Sequence, residues 1–297
     1  MNIAEKKDFV KSWILLLPSI VLIFIFLFLP LMYTLYLSFF DWNMIRPDKE
    51  FVGLKNYIDL FMNPVFYKVL KNTFLYILIL AIVNCAIPYI FAFVCHFVFE
   101  RFKEFYKIAI FMPAFISLVV GSMIFMWILN PLSGPLALLL RNFAITLPVW
   151  NITEGLVIVV ISLITSWRVF GYNFIILYAA VSGIAPDVIE AAKLDNVPLH
   201  KVFKDIVMPM SSATGIYIFV ITTVMGLQYI YTPISVLTKG GPNDGSSNLL
   251  YLSYHEAFVL FNTGNSAAIS IVTIILFAIF IVILFKFVES RVHYENE

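Results

Sequence analysis

Charge is what this chain has least of. Asp, Glu, Lys and Arg together make up 12% of its 297 residues, about half the roughly 25% of an ordinary soluble domain. Acidic and basic residues nearly cancel, leaving a net charge of +1, so no basic field exists to draw in nucleic acid. Cysteine is almost missing. Cys85 and Cys95 lie ten positions apart on one predicted helix, roughly 15 Å along its axis and too far for a disulfide. Nothing points to metal or thiol chemistry. There is no Walker A loop, no pair of buried carboxylates and no nucleophile–base set. The expectation is a non-catalytic chain, with no catalytic residue, metal or cofactor of its own.

What the chain has instead is 62% hydrophobic residues, in runs long enough to cross a bilayer at ~20 residues each. The predicted architecture is an all-α polytopic membrane protein forming a single domain over 1–297. Its six spans run over about 12–40, 72–99, 108–129, 155–183, 209–236 and 266–287. Lys6, Lys7 and Lys11 precede the first run without a small-residue cleavage site, which reads as a retained span. Pro18 and Pro30 are expected to bend it. Asp41-Trp42-Asn43 marks a membrane interface, where Trp is favoured. In the excursion from 44 to 71, Leu54, Tyr57, Ile58, Phe61 and Met62 have the spacing of a short amphipathic helix. Asn84, inside the second span, reads as a helix–helix hydrogen bond, and His96 as a headgroup-facing residue at the inner end. Asn130 to Glu154 and the stretch after 236 read as polar excursions.

Orientation follows from Lys and Arg. With the N-terminus inside, the inner segments hold Lys6, Lys7, Lys11, Arg101, Lys103, Lys107, Lys193, Lys201, Lys204, Lys286 and Arg291. The outer ones hold Arg46, Lys49, Lys55, Lys68, Lys71, Arg141 and Lys239. The bias puts both termini in the cytoplasm.

The stretch 184–208 between the fourth and fifth runs organises the rest. Pro186-Asp187 begins a helix whose N-terminus favours negative charge. It reads V-I-E-A-A-K-L and stops at Asp195-Asn196, where Asn adopts the left-handed conformation that ends helices. Pro198 blocks continuation. A second amphipathic segment, Leu199 to Val207, leads to Met208-Pro209. This stretch resembles the EAA loop of ABC importer membrane subunits, E-A-A-x-x-D-G followed by I-x-L-P. Glu190, Ala191, Ala192, Asp195, Ile206 and Pro209 match, while Asn196 stands for Gly and Met208 for Leu. S-F-F-D-W-N, F-V-G-L-x-N-Y, F-M-P-A-F-I-S and N-P-L-S-G-P-L resemble segments of the carbohydrate-uptake branch, the maltose-transporter-like permeases. Ala114 replaces the branch's usual aromatic.

The resemblance implies the type I ABC importer permease fold, with a cytoplasmic coupling helix docked into an ATPase cleft through Glu190, Ala191, Ala192, Asp195, Asn196 and Pro209. The implied partners are a second permease chain, two ATPase chains that bind ATP and Mg, and an extracellular solute-binding protein. The implied location is the bacterial cytoplasmic membrane. Lys239-Gly240-Gly241-Pro242, read as a tight exposed turn, would meet the binding protein.

Arg168 is the only full charge well inside a predicted span, and no span carboxylate is placed to pair with it. A mid-membrane Arg is a functional hypothesis by default. It must face water, carbonyls, a partner subunit or substrate, and pocket and subunit interface both stay open. T-S-W-R-V-F-G-Y-N resembles the family stretch that lines the sugar pocket, which implicates Thr165, Arg168, Val169 and Tyr172. M-G-L-Q-Y-I-Y-T-P resembles the second wall. There Gln228 and Thr223 would bond hydroxyls, Tyr229 and Tyr231 would offer ring faces, and Leu227 lies beside them. For Tyr231 an aromatic belt is the equal alternative. The function implied is alternating-access import of a sugar or oligosaccharide. A glycerol-3-phosphate or polyol permease is the near alternative. An ion-coupled secondary transporter is the distant one, since it needs an intramembrane ion site and usually internal repeats.

Overall fold

The computed structural model describes residues 3–99 and 102–289. Arg101, Arg291 and the acidic tail lie outside the described residues, as do the side chains of Lys6, Lys7 and Lys11. Helices dominate. Five are long and apolar enough to span a membrane: Trp13–Leu37, Pro64–Phe97, Leu156–Ser182, Ser212–Thr238 and Thr263–Leu284. In chain order we call these spans 1, 2, 4, 5 and 6. Span 3 is a broken pair, Lys103–Phe115 and Leu118–Ile128, bent by 99°. The chain divides into two compact units, Met1–Asn63 with Ser253–Ile274, and Pro64–Leu252 with Ile275–Glu297.

In the first unit, span 1 stays helical through Pro18 and Pro30, with a π-helical turn at Phe24–Phe28 between them. A short antiparallel ladder follows, pairing Phe40 with Phe51 and Asp41 with Glu50. The Asn43 side-chain oxygen accepts the backbone N–H groups of Ile45 and Arg46, which shapes the turn between the strands. Lys49 packs over Trp42, 4.3 Å from the ring centroid, and donates to the Tyr33 hydroxyl at 3.1 Å. The expected amphipathic helix forms at Lys55–Met62. Its Ile58, Phe61 and Met62 remain exposed, whereas Leu60 is buried. Asn56 donates to the carbonyls of Ser38 and Phe40. Gly264 is obligatory because a Cβ there would lie 1.9 Å from the Phe40 oxygen.

The second unit contains spans 2 to 5. Span 2 starts at Pro64 rather than near 72, because nothing after Asn63 interrupts the helix until a π turn at Ile82–Ala86. Apolar packing concentrates in two layers. One gathers Tyr76, Leu80, Trp150, Ile161 and Ile230. The other gathers Phe93, Phe174, Leu177, Val207 and Ile218. A polar knot ties spans 2, 4 and 5. Asn84 donates to Ser166 Oγ at 2.8 Å, so the expected interhelical bond is present. Asn173 donates to the Asn84 carbonyl at 2.6 Å and to Thr222 Oγ1 at 2.8 Å. The Asn84 Oδ1 has no partner among the described residues. Such bonds are worth about 0.6 kcal/mol on average, because unassembled helices also find partners. They fix register more than they add stability.

The sequence pattern predicted span 3 as one continuous helix over 108–129, and the structure corrects this. Pro113 lies in a 3₁₀ turn at Met112–Phe115, and Ile116 after it is extended with ψ 133°. The ring removes a backbone donor, and the extended residue ends the helical ladder. The excursion after span 3, read from the sequence as polar, also holds a short helix, Pro135–Arg141 (P-L-A-L-L-L-R).

Candidate functional site

The stretch after span 4 folds as its residues dictate. The helix runs Pro186–Leu194, with Asp187 in its first turn and Lys193 in its last, each complementing the dipole. Asn196 adopts φ +54°. Its N–H bonds the Lys193 carbonyl at 3.1 Å, and the Val197 N–H reaches the Ala192 carbonyl at 3.0 Å. That is a Schellman exit, with Asn in the position usually taken by Gly. Ile189 and Ala192 are buried against the chain's own apolar layer. Glu190, Ala191, Asp195 and Asn196 are exposed, and Leu194 is 82% exposed. The motif thus has two faces, one holding the helix to its own chain and one free. Leu194, the most prominent free apolar group, was not singled out from the sequence. Its spacing from Glu190 was the available signal. The following segment returns through a π-helical stretch at Val202–Val207. There Phe203 packs on Tyr89 and Phe93. Pro209 is exposed in the short turn before span 5.

Arg168 sits in span 4 opposite the break in span 3. Its Nε donates to the Ile116 carbonyl at 3.0 Å. Its guanidinium carbon stands 5.2 Å from the Tyr229 ring centroid. Non-helical backbone at membrane depth needs its polar groups satisfied, and Arg168 satisfies one of them. No ion pair to Arg168 forms among the described residues. The neighbours complete the arrangement. A Cβ at Gly121 would meet the Trp167 ring at 3.4 Å, and one at Gly171 would lie 2.4 Å from the Ile110 oxygen. Trp167 also stacks edge-on against Phe125 at 5.2 Å. The W-R-x-x-G run of span 4 therefore grips span 3 on both sides of its break. Ile116, Gly121 and Ile110 were missed from the sequence, although Pro113 and Ser117 inside an apolar run were the clue.

The other residues expected on the pathway divide. Arg168 and Tyr229 are brought together. Thr165 and Thr223 are buried, and their hydroxyls donate to the carbonyls of Ile161 and Phe219 in their own helices. Val169 and Leu227 are buried, whereas Tyr172 is 49% exposed. Gln228 is exposed. Tyr231 is half-buried and packs against Tyr251, with ring centroids 6.1 Å apart.

The loop after span 5 is not the exposed turn its composition predicted. Lys239 is exposed and left-handed, but Gly240 is buried at φ +85°, and Gly241 and Pro242 are half-buried. Ser246, Ser247, Asn248 and Leu249 are buried as well. Tyr76 donates to the Ser246 carbonyl at 2.9 Å, and Asn72 to the Asp244 carbonyl at 2.9 Å. Lys68 bridges the Asn243 carbonyl and Glu154. A Cβ on Gly240 would lie 2.5 Å from Ser247 Oγ. The loop turns inward because span 2 supplies donors for its carbonyls, a tertiary fact that composition does not carry.

The fold and these features define a multi-pass helical membrane protein with an exposed, firmly capped helix between two of its spans. The chain belongs to the family of binding-protein-dependent transport system inner membrane components, whose profile matches residues 97–294. It is 29% identical over 286 residues to the sn-glycerol-3-phosphate transport system permease protein UgpA of Agrobacterium fabrum, covering 96% of this chain and 97% of that one. It is 28% identical over 267 residues to the probable ABC transporter permease protein YurN of Bacillus subtilis, covering 89% and 91%. Among solved structures, a bacterial ABC transporter involved in the import of the acidic polysaccharide alginate superposes with a TM-score of 0.82 at 20% identity, over 97% of this chain and 99% of that one. The same fold recurs, at a TM-score of 0.79 and 20% identity, in a bacterial alginate ABC transporter complexed with a pentasaccharide-bound periplasmic protein, over 94% of each chain.

Proposed function

We propose that this chain is one of two membrane subunits of an ATP-driven importer. It passes a sugar or oligosaccharide, delivered by an extracellular solute-binding protein, across a bacterial cytoplasmic membrane. The observation that carries this reading is the helix Pro186–Leu194, held by Ile189 and Ala192 while Glu190, Ala191 and Leu194 stay free. A rigid, self-capped helix with a free apolar and acidic face suits a lever seated in a cleft of another chain. Two ATPase chains would occupy that side, binding ATP and Mg and performing the hydrolysis, while this chain forms no bond to nucleotide. Both termini would lie in the cytoplasm, in keeping with the Lys and Arg bias.

In this reading ATP closes the ATPase pair, the docked helix moves with it, and the spans open outward to receive the solute. Tyr172 and Gln228 are the exposed members of the proposed pathway, and Arg168, Tyr229 and Tyr231 are half-buried. The outer loop at Lys239, Gly240, Gly241 and Pro242 would present mainly Lys239 to the binding protein, because Gly240 is buried. A phosphorylated polyol is the second substrate reading. It is favoured by the relatives named for sn-glycerol-3-phosphate.

The test is uptake by proteoliposomes containing this chain with its second permease, ATPase and binding-protein partners. Uptake that requires ATP and all partners supports the reading, and uptake by this chain alone refutes it. Competition by neutral sugars against sn-glycerol 3-phosphate separates the two substrate readings.

A further inference from the structure

We infer that Arg168 is a positioning residue that links three spans, so that movement of span 4 is passed to the break in span 3 and to Tyr229 in span 5. The inference rests on the transport reading above and goes beyond it in assigning the guanidinium a mechanical role within its own chain. Three observations support it. First, the Ile116 carbonyl belongs to the break itself, and Arg168 Nε is the donor that holds it, at 3.0 Å. Second, the same guanidinium lies over Tyr229, at 5.2 Å. Third, Trp167 and Gly171 fasten span 4 to the two halves of span 3 on either side of the break.

The geometry also gives the joint a direction. Span 4 ends at Ser182, and the exposed helix begins four residues later at Pro186. A push on that helix therefore reaches span 4 through a short connection. A crevice of about 390 Å³ lies along Ile110, Pro113, Ser166 and Phe170, beside the first half of span 3. A guanidinium fits such a joint because it donates through Nε while offering its flat face to a ring. A Lys can form either contact but lacks the planar fork to hold both in one geometry.

The experiment uses the complete importer in proteoliposomes and measures ATP-driven uptake, ATP hydrolysis and the uptake KM, with the substrate its binding protein carries. Arg168→Gln is expected to lower solute moved per ATP about tenfold, within the span of ordinary coupling free energies, with KM changed little. Tyr229→Leu should produce the same uncoupling and Tyr229→Phe much less, since Phe keeps the ring. Arg168→Lys should fall between, and Arg168→Gln with Tyr229→Leu should be no worse than either alone. Spin labels at Val119 and Met225 should show the ATP-induced distance change between spans 3 and 5 in the wild type and lose it in Arg168→Gln. Should Arg168→Gln not assemble, Arg168→Lys and Tyr229→Leu carry the same comparison. Wild-type coupling in Arg168→Gln would overturn the inference. So would a raised KM at an unchanged uptake-to-ATP ratio, which would make Arg168 a substrate ligand. If the wild-type assembly itself shows no ATP-dependent uptake, the transport reading fails and not merely this one.

Discussion

The loops that follow spans 4 and 5 each contain a residue in the left-handed conformation, Asn196 at the end of the short helix Pro186–Leu194 in one and Lys239 at the end of span 5 in the other. They then diverge. The loop after span 4 satisfies its backbone from within, by the Schellman bonds to Lys193 and Ala192, and leaves a polar and apolar face uncovered. The loop after span 5 adds to its own backbone bonds donors from elsewhere, Asn72 and Tyr76 of span 2, and is largely buried. Self-sufficient backbone frees side chains for a partner. Borrowed hydrogen bonds commit a loop to its own fold.

This contrast can be attacked from either side. The largest effect is expected at the free face. Glu190→Lys should abolish ATP-driven uptake while solute capture by the binding protein continues, because reversing a docked charge costs at least about 2 kcal/mol. Wild-type uptake in that variant would remove the docking role. Next comes the committed loop. Gly240→Val places a Cβ against Ser247 and Tyr251 at a backbone angle that L residues avoid, and about 3 kcal/mol of destabilisation is expected from overpacking with strain. Thermal unfolding in detergent measures it, and an unchanged midpoint would mean the loop is not packed as described.

A smaller effect belongs to the cap. Asn196→Val should cost about 1–2 kcal/mol through the left-handed penalty, whereas Asn196→Gly should be tolerated. Equal midpoints for the Val and Gly variants would argue against a left-handed residue there. Smallest is Tyr76→Phe, which deletes one buried bond to Ser246 at about 1 kcal/mol. It should loosen the outer loop in hydrogen exchange at residues 240 to 248 and leave exchange in the span 4 loop as it was. Loosening of both loops together would erase the distinction.

Much of the chain was legible from its residues. Six apolar stretches, the short helix near 55–62, the interhelical bond of Asn84 and the helix Pro186–Leu194 with its Asn stop all follow local pattern. Less of the site was legible. Arg168 stood out as a charge in an apolar run, but its partners did not, since one is a backbone carbonyl and the other lies in a different span. Thr165 and Thr223 looked like open hydroxyls. In a helix, Thr bonds the carbonyl four residues back, and both do so here.

Periodicity, caps and the sparseness of charge settle where helices lie and which of them need lipid, because those choices depend on neighbours within about two turns. Which helix breaks and how the break is repaired depend on groups far apart in the chain. Ile116 and Arg168 are separated by 52 positions, and Tyr76 and Ser246 by 170. A buried carbonyl accepts whichever donor packing delivers. No local rule names that donor, so the pairing of Arg168 with the Ile116 carbonyl emerges only once the spans are assembled.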